Sequence, residues 1–330
     1  MTYKNNSHVF SVPVIKSTLS LGLLLAAATA QAQTRRVVVA ADGSGDFRTV
    51  QAAFDAVPAG NADWFTIVVK PGTYKEKLTL AAEKTHVRLV GEDAARTILT
   101  FDNYNQRIDP TTGKNFGTTG SASIHLYAND FAAENITFAN SAGPVGQAVA
   151  AWVAGDRSSF RHCRFLGFQD TLYTYGYGSR QLYDDCYIEG TVDFIFGSST
   201  AWFENCHVVG KTGGFFTAAS TPDTTRYGYV FHRCRLDGTA PAGSFYLGRP
   251  WRPYAKTVYL ECQLGALVRP EGWDEWGKES NKQTAYYAEY KSSGPGAQPA
   301  ARVPWSHQLT KAEAQTYTQA AVLRGWQPPK

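Results

Sequence analysis

The sequence predicts an all-β fold, a parallel β-helix of short strands with short capping helices at its ends. Three observations lead to this prediction. The chain has five cysteines, spaced 23, 20, 28 and 28 residues apart, and each has similar neighbours. Such intervals are typical of a solenoid but too short for a full crossover helix in every coil. Aromatic residues make up 13% of the 330 residues, and there are 30 glycines, a composition that suits strands joined by tight turns.

The residues around each cysteine indicate how a coil is built. An aromatic residue stands three positions before each cysteine: Phe160, Tyr183, Phe203, Phe231 and Tyr259. An apolar residue stands two positions after it: Phe165, Ile188, Val208, Leu236 and Leu264. Side chains alternate along a strand, so the cysteine and the residue two positions later share the inner face. The aromatic residue is an odd number of positions from the cysteine, so in a straight strand it would face the opposite side. This predicts a bend between the aromatic residue and the cysteine.

The cysteines therefore mark the coils and form a buried ladder: Cys163, Cys186, Cys206, Cys234 and Cys262. Small apolar packing is the usual role of buried cysteine. A disulfide between neighbouring rungs stays possible in an oxidising compartment, although an odd count leaves at least one thiol unpaired within a monomer. The chain has no C-x-x-C pair, which disfavours a zinc site.

Both ends of the predicted solenoid differ from its middle. Residues 46–57 have apolar side chains at helical spacing before Pro58, which predicts a short helix over one end. Residues 291–303 are rich in small residues and proline and predict an extended loop. Thr310 and Glu313 have capping-box spacing, which predicts one helix over 310–323. No linker separates two domains, so we expect one catalytic domain over 33–330.

Residues 1–32 resemble a secretory signal peptide. An apolar run from Leu19 to Ala30 ends in the small-residue pattern Ala30-Gln-Ala32. A buried N-terminal helix is the alternative, but it leaves that pattern unexplained. We therefore expect cleavage near Ala32 and secretion to the medium or the periplasm. The net charge of +4 is too small to indicate a nucleic-acid partner, and no other stretch is apolar enough to cross a membrane.

Two aspartates occupy equivalent places on neighbouring coils. Asp170 lies seven residues after Cys163, and Asp193 lies seven residues after Cys186. Stacking would place their carboxyls about 5 Å apart, close enough for one to stay protonated while the other ionises. Solvated turn aspartates are the alternative, but Phe-Ile-Phe after Asp193 indicates burial. Arg249 could then hold an ionised carboxylate with two hydrogen bonds.

The motifs around these residues resemble the pectinesterase family. Five segments occur in the order expected for that family: Gly72-Thr-Tyr74-Lys-Glu76, Gln147-Ala-Val-Ala, Gln169-Asp170-Thr-Leu, Asp193-Phe-Ile-Phe-Gly197 and Leu247-Gly-Arg249-Pro-Trp251. The resemblance extends from about residue 37 to 323. It implies a right-handed parallel β-helix that removes methyl esters from galacturonate residues of pectin. The first segment lies far upstream of the aspartates, which favours a structural role for it.

The resemblance also assigns roles. Asp193 would be the nucleophile and Asp170 the general acid and then base. Gln147 and Gln169 would form the oxyanion hole, and Arg249 would orient Asp193. This chemistry requires no metal and no cofactor.

Substrate contacts would come from the same cleft. The resemblance places Trp251 against the sugar, together with Arg249 and Gln147. Tyr173 and Phe194 are further candidates because aromatic faces stack on sugar rings. Ser121 lies where the family often has a threonine that contacts substrate. Either Trp273 or Trp276 would line the cleft, and the sequence alone does not decide between them.

Several alternatives share these features. A β-helix lyase would need clustered acids for calcium, and a glycosidase would also use two carboxylates. The chain could be an esterase for another acyl substrate, or a β-helix that only binds polysaccharide. The paired glutamines favour an ester carbonyl. We therefore expect methylated pectin as the partner, neither nucleic acid nor membrane, and a monomer.

Overall fold

The computed structural model describes residues 1–5 and 35–329 and confirms the parallel β-helix. Residues 1–5 contain neither helix nor strand. The predicted signal peptide and its cleavage site near Ala32 otherwise fall in residues 6–34, outside the described residues. The solenoid belongs to a compact unit that runs from Thr34 to Lys330.

The strands are short throughout. In chain order they are β1 Arg36–Val39, β2 Phe65–Val69, β3 Gly72–Lys75, β4 Leu78–Leu80, β5 Val87–Gly91, β6 Thr97–Phe101, β7 Ile124–Leu126, β8 Phe131–Glu134, β9 Thr137–Asn140, β10 Ala151–Val153, β11 Ser158–Arg161, β12 Arg164–Leu166, β13 Leu172–Thr174, β14 Arg180–Asp184, β15 Tyr187–Gly190, β16 Ile195–Gly197, β17 Thr200–Glu204, β18 His207–Gly210, β19 Gly214–Ala219, β20 Tyr229–His232, β21 Arg235–Gly238, β22 Phe245–Gly248, β23 Lys256–Leu260, β24 Gln263–Leu264, β25 Tyr286–Tyr290 and β26 His307–Gln308. The helices are α1 Val50–Asp55, α2 Gly117–Gly120, α3 Asn281–Thr284, α4 Lys311–Ala314 and α5 Gln319–Val322, with one 3₁₀ turn at Pro299–Ala301.

These strands stack into three sheets. Sheet A has the order β1-β2-β5-β8-β11-β14-β17-β20-β23-β25-β26, sheet B the order β3-β6-β9-β12-β15-β18-β21-β24, and sheet C the order β4-β7-β10-β13-β16-β19-β22. From β2 to β24, successive strands lie in A, B and C in turn, so each complete coil contributes one strand to each sheet; β1, β25 and β26 extend sheet A alone. Neighbouring strands pair in parallel, as β11, β14 and β17 do in sheet A.

The predicted bend lies directly before each cysteine. The preceding residue adopts a left-handed backbone conformation with φ between 51° and 54° in all five coils: His162, Asp185, Asn205, Arg233 and Glu261. This residue turns the chain from sheet A into sheet B. Non-glycine residues rarely adopt such angles, so the repeat of one strained residue per coil indicates that the stacked sheets impose it.

The bend allows the aromatic residue and the cysteine to face the same interior. All five cysteines are buried and free, so no disulfide forms among them. The aromatic residues stack on the inner face of sheet A, and ring centroids along Tyr183, Phe203 and Phe231 are 4.7 and 4.3 Å apart. Burial raises the pKa of the Cys206 thiol well above its ordinary value, so this cysteine packs as a neutral apolar group.

Replacing one ring in this stack should destabilise the whole solenoid. Phe203 is fully buried between two parallel rings, and Phe203→Ala would leave a cavity. We expect it to lower the free energy of unfolding by about 3–5 kcal/mol. Urea titration followed by tryptophan fluorescence measures this change. Tyr177→Ala, at a ring that is 80% exposed, is the control and should cost less than about 0.5 kcal/mol. Equal losses in the two variants would contradict the packing argument.

At the N-terminal end, α1 confirms the predicted short helix and buries Val50, Ala53 and Phe54 in the main core. Glu76 accepts hydrogen bonds from the backbone N–H groups of Val50 and Gln51, at 3.0 and 3.1 Å. Its carboxylate therefore caps the first turn of α1. This contact supports a structural role for the Gly72–Glu76 segment.

At the C-terminal end, the single helix predicted over 310–323 is wrong. The capping box of Thr310 and Glu313 is present, but α4 ends after four residues and Thr318 caps a second short helix. The break allows residues on both sides of it, Ala314 and Val322, to reach the apolar outer face of sheet A. Within residues 1–5 and 35–329, no helix is long and apolar enough to span a membrane.

Candidate active site

Asp170 and Asp193 lie side by side at the start of two neighbouring strands of sheet C. Each precedes its strand by two residues, and the register pairs Leu172 of β13 with Ile195 of β16. The backbone N–H of Asp170 also donates to the carbonyl of Val192, 3.1 Å away. One rung separates the two carboxyls, about 4.8 Å along the solenoid axis.

Both aspartates have an unusual backbone conformation. Asp170 has φ 64° and Asp193 has φ 54°, in the left-handed region. Aspartate tolerates this region better than most residues, but the conformation still costs free energy. Both side chains are nearly buried, with exposures of 7% and 6%. Strain and burial at two adjacent carboxyls are typical of a functional site.

Arg249, just after β22, holds Asp193 with both edges of its guanidinium group. Nε donates to Oδ1 at 2.8 Å and Nη2 donates to Oδ2 at 2.7 Å. This bidentate geometry fixes the Asp193 carboxylate and compensates its charge. Among the residues that the structure describes, no arginine holds Asp170 in this way, so the two carboxyls differ in their surroundings.

The pKa values of the pair follow from that difference. Burial raises the pKa of Asp170 well above its ordinary value, and the charge of Asp193 raises it further. Burial also raises the pKa of Asp193, but the hydrogen bonds and charge of Arg249 oppose the shift. Asp193 therefore ionises first, and Asp170 keeps its proton over a wider pH range.

Gln147 and Gln169 lie beside the carboxyls on consecutive coils. Their backbones form an isolated parallel bridge, which places the two side chains one rung apart. Both side chains are half-buried and line the same cleft as Asp170 and Asp193. Two neutral amides beside two carboxyls form a site that can receive a developing negative charge.

The cleft has a volume of about 450 Å³ and opens on the outer face of sheet C. Its lining residues are Thr118, Thr119, Gln147, Gln169, Asp170, Tyr173, Asp193, Phe196, Ala218, Arg249, Trp251 and Trp276. The structure thus brings together all five predicted catalytic residues, with Tyr173 and Trp251. Among the described residues, no group of three or more His, Cys, Asp or Glu side chains could hold a metal ion.

An aromatic wall borders the cleft. Tyr173 and Phe196 are register neighbours on the outer face of sheet C, and their rings stack at 4.2 Å. Trp251 meets both rings edge-on, at 6.1 and 5.8 Å. Such a wall can receive the apolar face of a sugar ring while its polar edges remain accessible.

Two predicted substrate contacts require correction. Phe194 is fully buried and packs in the main core, because its side chain points into the solenoid rather than into the cleft. Ser121 is also fully buried, and its hydroxyl donates to the carbonyl of Thr118 and accepts from the N–H of Val149. Neither side chain lines the cleft.

Other cleft residues were missed from the sequence. Phe196 faces outward where Phe194 faces inward, and Thr118 and Thr119 of α2 reach the cleft instead of Ser121. Alternation alone would put Phe194 and Phe196 on one face, but Phe194 precedes β16 and packs in the main core together with Ile195, so alternation holds only from Ile195 onward. Trp276 lines the cleft, whereas Trp273 is 1% exposed.

Comparisons with known proteins agree with this geometry. The pectinesterase family model matches residues 36–326. Pectinesterase 31 of Arabidopsis thaliana is 43% identical over 86% of this chain and 90% of its own length. A probable pectinesterase/pectinesterase inhibitor of Brassica napus is 39% identical over 86% of the chain, which spans half of that longer protein.

Solved structures agree in the same way. Pectin methylesterase from carrot superposes with a TM-score of 0.81 at 32% identity, covering 94% of this chain and 95% of the carrot chain. Pectin methylesterase PemA from Erwinia chrysanthemi gives a TM-score of 0.80 at 33% identity, covering 89% and 98%. With its ordered motifs, its parallel β-helix and its paired aspartates in one cleft, the chain belongs to the pectinesterase family.

Proposed function

We propose that this protein hydrolyses the methyl esters of galacturonate residues in pectin, releasing methanol and leaving free carboxylates. One observation carries the proposal: Asp193, held by Arg249, lies beside a buried Asp170 for which the described part of the chain supplies no such arginine. A nucleophile and an acid in one cleft are what ester hydrolysis needs. Relatives named pectin methylesterase, including one solved in complex with a hexasaccharide, support the choice of substrate.

In the first step, the ionised Asp193 attacks the ester carbonyl. The amides of Gln147 and Gln169 donate hydrogen bonds to the oxyanion that forms. Protonated Asp170 gives its proton to the departing methoxide, so methanol leaves and an acyl anhydride with Asp193 remains. Asp170 becomes a carboxylate in this step.

In the second step, a water molecule cleaves the anhydride. The Asp170 carboxylate takes a proton from water, and the resulting hydroxide attacks the acyl carbonyl. The bond to Asp193 breaks, the free galacturonate leaves, and Asp170 is again protonated. Arg249 holds Asp193 throughout, and no added group is required for the balance of atoms and protons.

The cleft walls would hold the polymer. We place a sugar ring against Trp251 and Tyr173, with Arg249 and Gln147 at the ester group. Aromatic faces match the C–H face of a sugar, and the wall excludes water from one side of the reacting ester.

The test is incubation with highly methylated pectin, with methanol, unsaturated ends and chain length measured together. Methanol release without unsaturation and without shortening is the expected result. Unsaturated ends would indicate a lyase, and shortened chains without unsaturation would indicate a glycosidase. Binding without any product would indicate a polysaccharide-binding protein, and activity on other esters alone would indicate another acyl substrate.

The oxyanion hole gives a separate prediction. Gln169→Ala and Gln147→Ala should each lower kcat by about 10²–10³-fold, since each removes one donor from the transition state. Gln181→Ala, a buried glutamine of β14 outside the cleft, is the matched control and should keep kcat. Initial rates of methanol release measure the effect. A variant in which KM changes while kcat does not would contradict an oxyanion-hole role.

We also propose that residues 1–32 direct secretion and that residues 33–330 form the mature catalytic domain, acting as a monomer. The apolar run and Ala30-Gln-Ala32 support the first point. Sequencing the N-terminus of protein recovered outside the cytoplasm tests it, and a start at Met1 would contradict it. Sedimentation of the mature protein tests the oligomeric state.

A further inference from the structure

Both faces of the Arg249 guanidinium group are covered by aromatic rings. The guanidinium carbon lies 3.8 Å from the ring centroid of Phe215 and 3.8 Å from that of Trp276. Its edge carries the two hydrogen bonds to Asp193. Two rings and one carboxylate therefore enclose the planar group from three sides.

The stack continues away from the cleft. Phe215 of β19 and Tyr246 of β22 are register neighbours, and their rings are stacked at 5.2 Å with an interplanar angle of 9°. Arg269 then covers Tyr246 at 4.6 Å. Three rings and two guanidinium groups thus follow one another in a stack, which we call the arginine stack: Trp276, Arg249, Phe215, Tyr246 and Arg269.

A buried ion pair anchors residues 269–276, the segment that supplies both outer members of the arginine stack. Arg302 pairs with Glu289 at 2.6 Å, with side-chain exposures of only 2% and 3%. Arg302 also donates to the carbonyl of Arg269 at 3.1 Å. Further along this segment, the backbone N–H of Trp276 donates to Asp274 at 2.7 Å. The positions of Arg269 and Trp276 are therefore each fixed by a hydrogen bond to their backbone.

We propose that Phe215 is a positioning residue, whose ring holds the Arg249 guanidinium in the plane that presents two donors to Asp193. This inference rests on the proposed function and names a residue that acts on its nucleophile from outside the cleft. Phe215 does not line the cleft that holds the two aspartates, and its ring contacts the guanidinium of Arg249 instead. Attraction between ring face and cation opposes tipping of the guanidinium on that side.

Loss of this support has a defined electrostatic consequence. The groups that act on Asp193 are Arg249, Asp170 of the preceding coil, Asp274 of the Trp276 segment and the buried Tyr287. Among these only Arg249 is positive. If its guanidinium tips away, the pKa of Asp193 rises, because burial and the Asp274 carboxylate then act unopposed. The nucleophile then needs a higher pH to ionise.

The test is Phe215→Leu, which removes the ring and keeps an apolar side chain. We expect kcat to fall about tenfold or more, since a small misplacement of a reacting group is costly. The acidic limb of the kcat profile should move to higher pH, while KM stays within about twofold. Phe215→Tyr keeps the ring face, so its kcat and the position of its acidic limb should match those of the wild-type protein.

Tyr187→Leu is the control, because Arg164 covers that ring at 5.4 Å on sheet B, away from the cleft. It should leave kcat and the pH profile unchanged. An unshifted acidic limb in Phe215→Leu, a change in KM alone, or the same loss in Tyr187→Leu would overturn the inference. If Phe215→Leu does not fold, Phe215→Met decides between the same outcomes. A wild-type protein without methanol release would instead overturn the proposed function.

Discussion

Asp193→Asn is expected to lower the rate of methanol release by roughly 10⁴-fold or more. The amide keeps the size of the carboxyl but cannot form the acyl anhydride. The change also leaves Arg249 facing a neutral group in a cleft where both residues are largely buried. Initial rates on highly methylated pectin, at saturating concentration, measure the loss.

Asp184→Asn provides the control for this prediction. Asp184 is also held by an arginine, with Arg161 Nε at 3.2 Å, but it lies on sheet A and outside the cleft. It should retain nearly all activity. An Asp193→Asn protein that turns over normally, or an equal loss in Asp184→Asn, would refute Asp193 as the nucleophile.

Asp170→Asn should lower kcat by about 10²–10⁴-fold, because methoxide then leaves without a proton donor. In the wild-type protein, activity should fall as pH rises through the raised pKa of Asp170, and as pH drops through that of Asp193. The residual activity of Asp170→Asn should lack the alkaline limb. A wild-type rate that stays flat far above neutrality, or an alkaline limb that survives in the variant, would contradict this role.

The same substitution should make the protein more stable at neutral and alkaline pH. The pKa of Asp170 is higher in the folded than in the unfolded state. Folding is therefore favoured at low pH, and this contribution is lost as pH rises through the folded pKa. Asparagine removes the cost of a buried charge, so its Tm should exceed that of wild type at alkaline pH, with the gap closing toward acid. A variant that is less stable at every pH would contradict this account.

The coil architecture and the pairing of the two aspartates were predictable because the sequence repeats once per coil. Cys163 and Cys186 marked equivalent rungs, and counting seven residues from each placed Asp170 beside Asp193. In a parallel stack, residues at the same distance from equivalent cysteines occupy equivalent places on neighbouring coils. Two residues with equal spacing from their cysteines therefore lie side by side. The bend before each cysteine followed from the parity of Phe160 and its counterparts in the same way.

Prediction failed where a local strain or a distant contact decided the outcome. Phe194 was expected to contact substrate, but it lies between the left-handed Asp193 and the start of β16, and it packs in the main core beside Ile195. The C-terminal helix divides because both Ala314 and Val322 are drawn to the outer face of sheet A. The packing that bends the chain there involves strands far away in the sequence.

The sequence by itself determined the coil repeat, the pairing of the two aspartates and the set of motifs that identify the family, since these depend only on regular spacing. The tertiary structure alone decided that Trp276 lines the cleft and that Phe215 and Trp276 enclose Arg249. These residues come from different coils and from an irregular segment braced by Arg302. No spacing rule relates them, because their meeting depends on how the segment is packed rather than on the repeat.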